Sequence, residues 1–162
     1  MAYALAVMEG ANPDRAAALA LFHDMVETRI GDIPSTGRAH LGIASPQDVT
    51  KAQVANLPTD VASPIADLVA EFDAKETLEA KCAKDADKLE CLLQAKEYKA
   101  QGYVHVGPWA DTMVGAVRTA AGKKLAEAAL KSPVESWWWD IVVAYGMRQA
   151  PVPVQKDEED AS

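Results

Sequence analysis

Residues 77–101, TLEAKCAKDADKLECLLQAKEYKAQ, read as one long helix, and the fold follows from how its side chains are distributed. At the ~3.6-residue period Leu78, Cys82, Leu89 and Leu93 make one stripe, while Ala83, Asp87, Cys91 and Tyr98 make a second on the opposite side. A helix that is apolar on two faces lies in the interior, so the other segments must pack around it. Asp87 has Ala83 and Cys91 a turn away on either side, where an unpaired carboxylate is costly to bury. It is therefore expected to face a cation, either a bound metal or the ammonium of Lys84 three residues back. Asp85 has Lys81 and Lys88 within a turn and reads as an ordinary surface charge.

Working outward, the stretch with the densest chemistry is His23-Asp24-Met25-Val26-Glu27-Thr28-Arg29-Ile30-Gly31-Asp32. If a helix runs from Asp14 to Ile30, His23 and Glu27 are one turn apart and Asp24 stands about 100° from His23, so all three can converge on one object. A neutral imidazole with carboxylates suits a divalent transition metal. Gly31 permits a left-handed stop that would swing Asp32 back toward the same cavity. The bland alternative is a half-buried histidine hydrogen-bonded to its neighbour.

The remaining segments are helical as well. Residues 1–9 read as the end of a helix that starts without a capping residue. Asn12-Pro13-Asp14 supplies an N-cap, a proline at the first helical position and a first-turn acid. Residues 33–42, with Pro34, Gly37 and Gly42, read as a loop. Ser45-Pro46 opens a helix to about Leu57, Ser63-Pro64 opens a shorter one ending near Glu71-Phe72-Asp73, and Gly122 to Lys131 is amphipathic. Trp137-Trp138-Trp139 reads as packing rather than base stacking. His40 and His105 read as surface or packing residues. Residues 1–150 are expected to form one compact all-α domain, and 151–162, ending Asp157-Glu-Glu-Asp-Ala-Ser162, an acidic disordered tail.

Composition narrows the function. With 49% hydrophobic and 25% charged residues the chain suits a globular protein large enough to bury a core. A net charge of −8 argues against broad binding to nucleic acid polymers. Cys82 and Cys91 fit neither a disulfide framework nor a paired zinc motif, so reduced thiols and a cytoplasmic location are expected. The apolar opening to Met8 is too short to span a bilayer.

His23-Asp24-x-x-Glu27-x-x-x-Gly31-Asp32-x-Pro34, followed by Glu71-Phe72-Asp73 and Lys84-Asp85-Ala86-Asp87-Lys88-Leu89-Glu90, resembles the HD-domain metal-dependent phosphohydrolases, in particular their 5′-deoxynucleotidase branch. The resemblance implies a compact helical HD-type fold, a divalent cation such as Mn, Co or Mg, and His23, Asp24 and Asp87 as its ligands. It implies that Glu27 positions or activates the attacking water, and that Asp32 faces the sugar or assists the leaving oxygen. Glu71 matches an acidic position near the substrate. The implied reaction is hydrolysis of deoxyribonucleoside 5′-monophosphates by a homodimer. The family also supplies a histidine ligand from the preceding helix, and residues 1–22 contain none, so the chain is expected to start late and its activity to be impaired. The rival reading is a non-catalytic helical homodimer that keeps the fold.

Overall fold

In the computed structural model, which describes residues 1–145, helices α1 (Ala2–Glu9), α2 (Pro13–Phe22), α3 (Glu27–Ile30), α4 (Ser35–Arg38), α5 (Pro46–Val54) and α6 (Thr59–Ala74) precede the long helix α7 (Leu78–Ala100). A 3-10 turn (Val104–Val106), α8 (Gly107–Ala116), α9 (Ala120–Lys131) and α10 (Ser136–Ala144) follow it. No strand occurs among the described residues, and the fold is all-α. None of the described helices is long and apolar enough to cross a membrane. The expected tail, 151–162, lies outside the described residues, as does the side chain of Trp137.

α7 is the axis on which α1, α2, α6, α8 and α9 pack. Its Cys82, Leu89 and Leu92 are buried with Leu5 of α1, Leu19 of α2 and Phe72 of α6. Alanines fill the seams: Ala80, Ala83 and Ala86 of α7 meet Ala2, Ala6 and Ala16 of the neighbouring helices. Each fully buried leucine contributes roughly 1.5–3 kcal/mol by leaving water. Leu78, Leu93 and Tyr98, expected in the apolar stripes, lie at the margin and are partly exposed.

Short polar devices fix the helix ends. Asn12 accepts from the Arg15 amide at 3.0 Å, and its own amide donates to Glu79 at 2.9 Å, which joins the α1–α2 corner to the start of α7. Ser45, Thr77 and Thr119 cap α5, α7 and α9 by accepting from Asp48, Ala80 and Gly122 amides.

Several sequence expectations are corrected. The helix expected to start at Ser63-Pro64 begins four residues earlier, at Thr59, and runs through Pro64. Pro58 is its N-cap, and its carbonyl accepts the Val61 and Ala62 amides. The 33–42 loop contains one helical turn, α4. α8 is not among the helices expected from the sequence; Pro108 lies in its first turn, a position where proline favours a helix start.

Asp85 is the largest correction. It is 1% exposed rather than a surface charge. Its Oδ1 accepts from the Arg118 amide at 2.9 Å, and its Oδ2 from the Thr119 amide and hydroxyl, both at 2.7 Å. Its partners come from the N-terminus of α9, more than thirty residues away, and not from lysines on its own helix.

Candidate active site

The helix expected over Asp14 to Ile30 is two helices, α2 and α3, separated by a tight turn at 23–26. The cause is His23 itself. Its ring Nδ1 lies 2.7 Å from the Ala20 carbonyl, the acceptor that an unbroken helix would offer to the amide of Asp24. The turn continues with i→i−3 bonds, Met25 amide to Phe22 and Glu27 amide to Asp24. Gln53 of α5 props the break, donating to the Met25 carbonyl at 2.8 Å and to the Thr28 hydroxyl at 2.9 Å.

The Ala20 carbonyl can only accept, so Nδ1 carries the proton and Nε2 is the ring's outward nitrogen. Nε2 lies 2.8 Å from Asp24 Oδ2. A lone pair and a carboxylate at that distance need a positive centre, either a proton on the ring or a cation shared by both groups. The ring also packs against Phe72, with centroids 5.1 Å apart and planes tilted by 52°, and Lys84 Nζ sits 4.9 Å from the centroid of the same Phe72 ring.

His23 and Asp24 line two adjoining spaces. One is a cavity of about 260 Å³, also lined by Glu27, Gly31, Arg38, Asp73 and Lys84, with Ile30, Ile33, Ile43 and Phe72 as apolar wall. The other is a shallower recess lined by Ala83, Ala86, Asp87 and Glu90. The two residues thus partition Glu27 from Asp87. In the cavity, burial above all, then Asp24 and Asp32, push the Glu27 carboxyl above its ordinary value, against the opposing pull of His23 and Arg38. In the recess, Asp87 Oδ2 is bridged by Lys84 at 3.0 Å and Lys88 at 3.1 Å. Burial raises its carboxyl, but the two lysines outweigh it and hold the group below the ordinary carboxylate range.

Two of the acids singled out from sequence lie elsewhere. Asp32 is exposed and is not among the residues lining the cavity; Gly31 does take a positive φ of 78°, but with ψ at 161° it leads the chain away in an extended direction. Glu71 holds the fold together, accepting from Arg15 Nε at 2.9 Å and Nη2 at 2.5 Å on one oxygen and from Thr77 at 2.7 Å on the other. His40 and His105 are exposed. Sequence reasoning missed Arg38 and Phe72 as cavity residues. Arg38 sits in a stretch read as loop, and Phe72 stood between two acids that drew the attention.

As a donor set, an imidazole nitrogen and carboxylate oxygens suit a borderline divalent ion. Among the described residues no three His, Cys, Asp or Glu side chains are already gathered around one point. His23 Nε2 and Asp24 Oδ2 are adjacent, and Asp87 turns its Oδ2 to Lys84 and Lys88.

The model of the HD domain matches residues 1–129, most of the chain. The chain belongs to the HD domain family. It is 33% identical over 105 residues to the 5′-deoxynucleotidase HDDC2 of Bos taurus, covering 60% of this chain and 51% of that one. The Xenopus laevis protein of the same name is 36% identical over 94 residues, 54% and 45% of the two chains, and the Homo sapiens protein 34% over 90 residues, 54% and 44%. The matched stretches thus span about half the length of these curated relatives. No solved structure matches the chain significantly.

Proposed function

We propose that this HD domain is a divalent-metal-dependent phosphomonoester hydrolase acting on deoxyribonucleoside 5′-monophosphates. The observation that carries the reading is the His23–Asp24 pair, with Nδ1 tied to Ala20 and Nε2 turned 2.8 Å from a carboxylate at the edge of a cavity that holds Glu27. The relatives' name, 5′-deoxynucleotidase, supports the substrate class.

His23, Asp24 and Asp87 would hold the cation. Such an ion, when bound, supplies a Lewis acid for the phosphoryl group and makes water a better nucleophile near neutral pH. Glu27, whose raised proton affinity suits a general base, takes the proton from the attacking water as it closes on phosphorus. Lys84 and Arg38 bring positive charge to a cavity that also holds the acids Asp24, Glu27 and Asp73, and so offset repulsion of a phosphate dianion. The apolar wall of Ile30, Ile33 and Ile43 is suited to excluding water from one side of the substrate. Asp32, exposed beside this cavity, would meet the sugar at its rim, and Glu71 would act only through the position of Phe72. The working unit in this reading is a homodimer in the cytoplasm.

A second reading, a non-catalytic helical homodimer, is favoured by one observation: Asp87 Oδ2 is bridged by both Lys84 and Lys88. Phosphate release from a panel of deoxyribonucleoside 5′-monophosphates, with Co, Mn or Mg added after chelator stripping, separates the two. Metal-dependent release supports the hydrolase. Its absence with every metal, in a folded protein, supports the second reading.

A further inference from the structure

On a chain of net charge −8, five of the sixteen lysines and arginines gather around one pocket. Lys75 comes from the C-cap of α6, Lys81, Lys84 and Lys88 from successive turns of α7, and Arg118 from the link between α8 and α9. The pocket measures about 410 Å³. Its single acid, Asp85, is neutralised as a competitor, because both of its oxygens are occupied by the Arg118 and Thr119 amides and the Thr119 hydroxyl. Lys84 and Lys88 are tethered to Asp87. Lys75, Lys81 and Arg118 are exposed and make no ion pair among the described residues. Like charges so placed repel one another, and an anion seated between them removes that cost.

We propose that this pocket, which shares Lys84 with the first cavity, is a second binding site for a small anion with contiguous phosphate groups, such as the triphosphate chain of a nucleotide or an inorganic tripolyphosphate. Several charges at different points of one concavity select a ligand with several charges over a single phosphate, and lysines bind phosphate as point charges without bidentate geometry. The lining holds no aromatic ring, Ala116 being its one apolar residue, so a base finds nothing to stack on. The phosphate chain is read and the base is not. The site stands whether or not the protein is a hydrolase.

The test is calorimetric titration of tripolyphosphate into the full chain freed of divalent metal with a chelator. One equivalent binds, about tenfold or more tighter than orthophosphate, and weakens as salt rises. A deoxynucleoside triphosphate binds within about threefold of tripolyphosphate, since both present the same chain of charges. Lys81→Glu and Arg118→Glu, each made singly on an exposed side chain, weaken binding about fivefold or more, whereas the charge-matched Lys51→Glu on α5 changes it less than about twofold. His23→Ala, in the other cavity, leaves binding intact. The proposal is overturned by no saturable binding, by an equal loss in Lys51→Glu, by loss in His23→Ala, or by a nucleotide that binds where tripolyphosphate does not.

Discussion

Asp85 and Thr119 are joined by two hydrogen bonds of 2.7 Å, from the amide and the hydroxyl of the α9 cap to one carboxylate oxygen of α7. The Thr119 hydroxyl in turn accepts from the Gly122 amide at 3.0 Å, so a buried acid of the central helix organises the first turn of α9. Asp85→Ala strands these donors in the interior and should cost about 2–4 kcal/mol in urea unfolding. A loss below about 0.5 kcal/mol would mean that the contact carries no stability.

Gly122 fits only because it lacks a Cβ. An added methyl would stand 2.6 Å from Asp85 Oδ2, 2.8 Å from Thr119 Oγ1 and 2.8 Å from Val117. Helix propensity alone favours alanine by about 1 kcal/mol. Overpacking wins at this position, and Gly122→Ala should destabilise by roughly 1–3 kcal/mol. In a double-mutant cycle Asp85→Ala should relieve part of that penalty, so additive losses would contradict the packing described.

Asp87 gives a pH signature. Its folded carboxyl is held below the ordinary aspartate value, so the pairing with Lys84 and Lys88 contributes stability that is present above that ordinary value and is lost as pH falls through the lower folded one. The difference in unfolding free energy between the parent and Asp87→Asn should be about 1 kcal/mol at pH 6 and vanish in strong acid. A difference that grows on acidification has the wrong sign for this ion pair.

Glu27 predicts the opposite displacement. Since its carboxyl is raised above 4.5, the rate of phosphate release should fall on the acid side through a value above that, as the base becomes protonated. Glu27→Gln should remove this limb from the profile and lower the rate by about 10²–10⁴. An unchanged acid limb in Glu27→Gln would assign the titration to another group.

The all-α fold and the central place of 77–101 were legible because periodicity and capping residues are local signals: α2 and α5 begin at the expected Asn12-Pro13 and Ser45-Pro46, and α7 follows Thr77, whereas α9 starts at Ala120, two residues before the expected Gly122. The break at His23 was not legible, since it arises when a ring nitrogen displaces a backbone amide from the Ala20 carbonyl. Asp85 was misjudged for a related reason: its partners are backbone groups on a helix distant in sequence, while the lysines beside it on α7 offered a nearer explanation. Within the candidate site His23, Asp24 and Glu27 do line one cavity, although the unbroken helix from which their convergence was expected is interrupted at 23–26. Arg38, Phe72 and the Lys84–Phe72–His23 stack depend on how α4, α6 and α7 meet, which no local pattern encodes.

In the proposed reading His23, Asp24 and Asp87 hold a divalent cation on which phosphate release depends. The most direct test measures bound metal and phosphate release together, in chelator-stripped protein reloaded with Co or Mn, for the parent chain, His23→Ala, Asp87→Ala and Glu27→Gln. His23→Ala and Asp87→Ala should lose metal and rate together, while Glu27→Gln should keep the metal and lose only rate. An Asp87→Ala protein that is metal-loaded and active would contradict this reading.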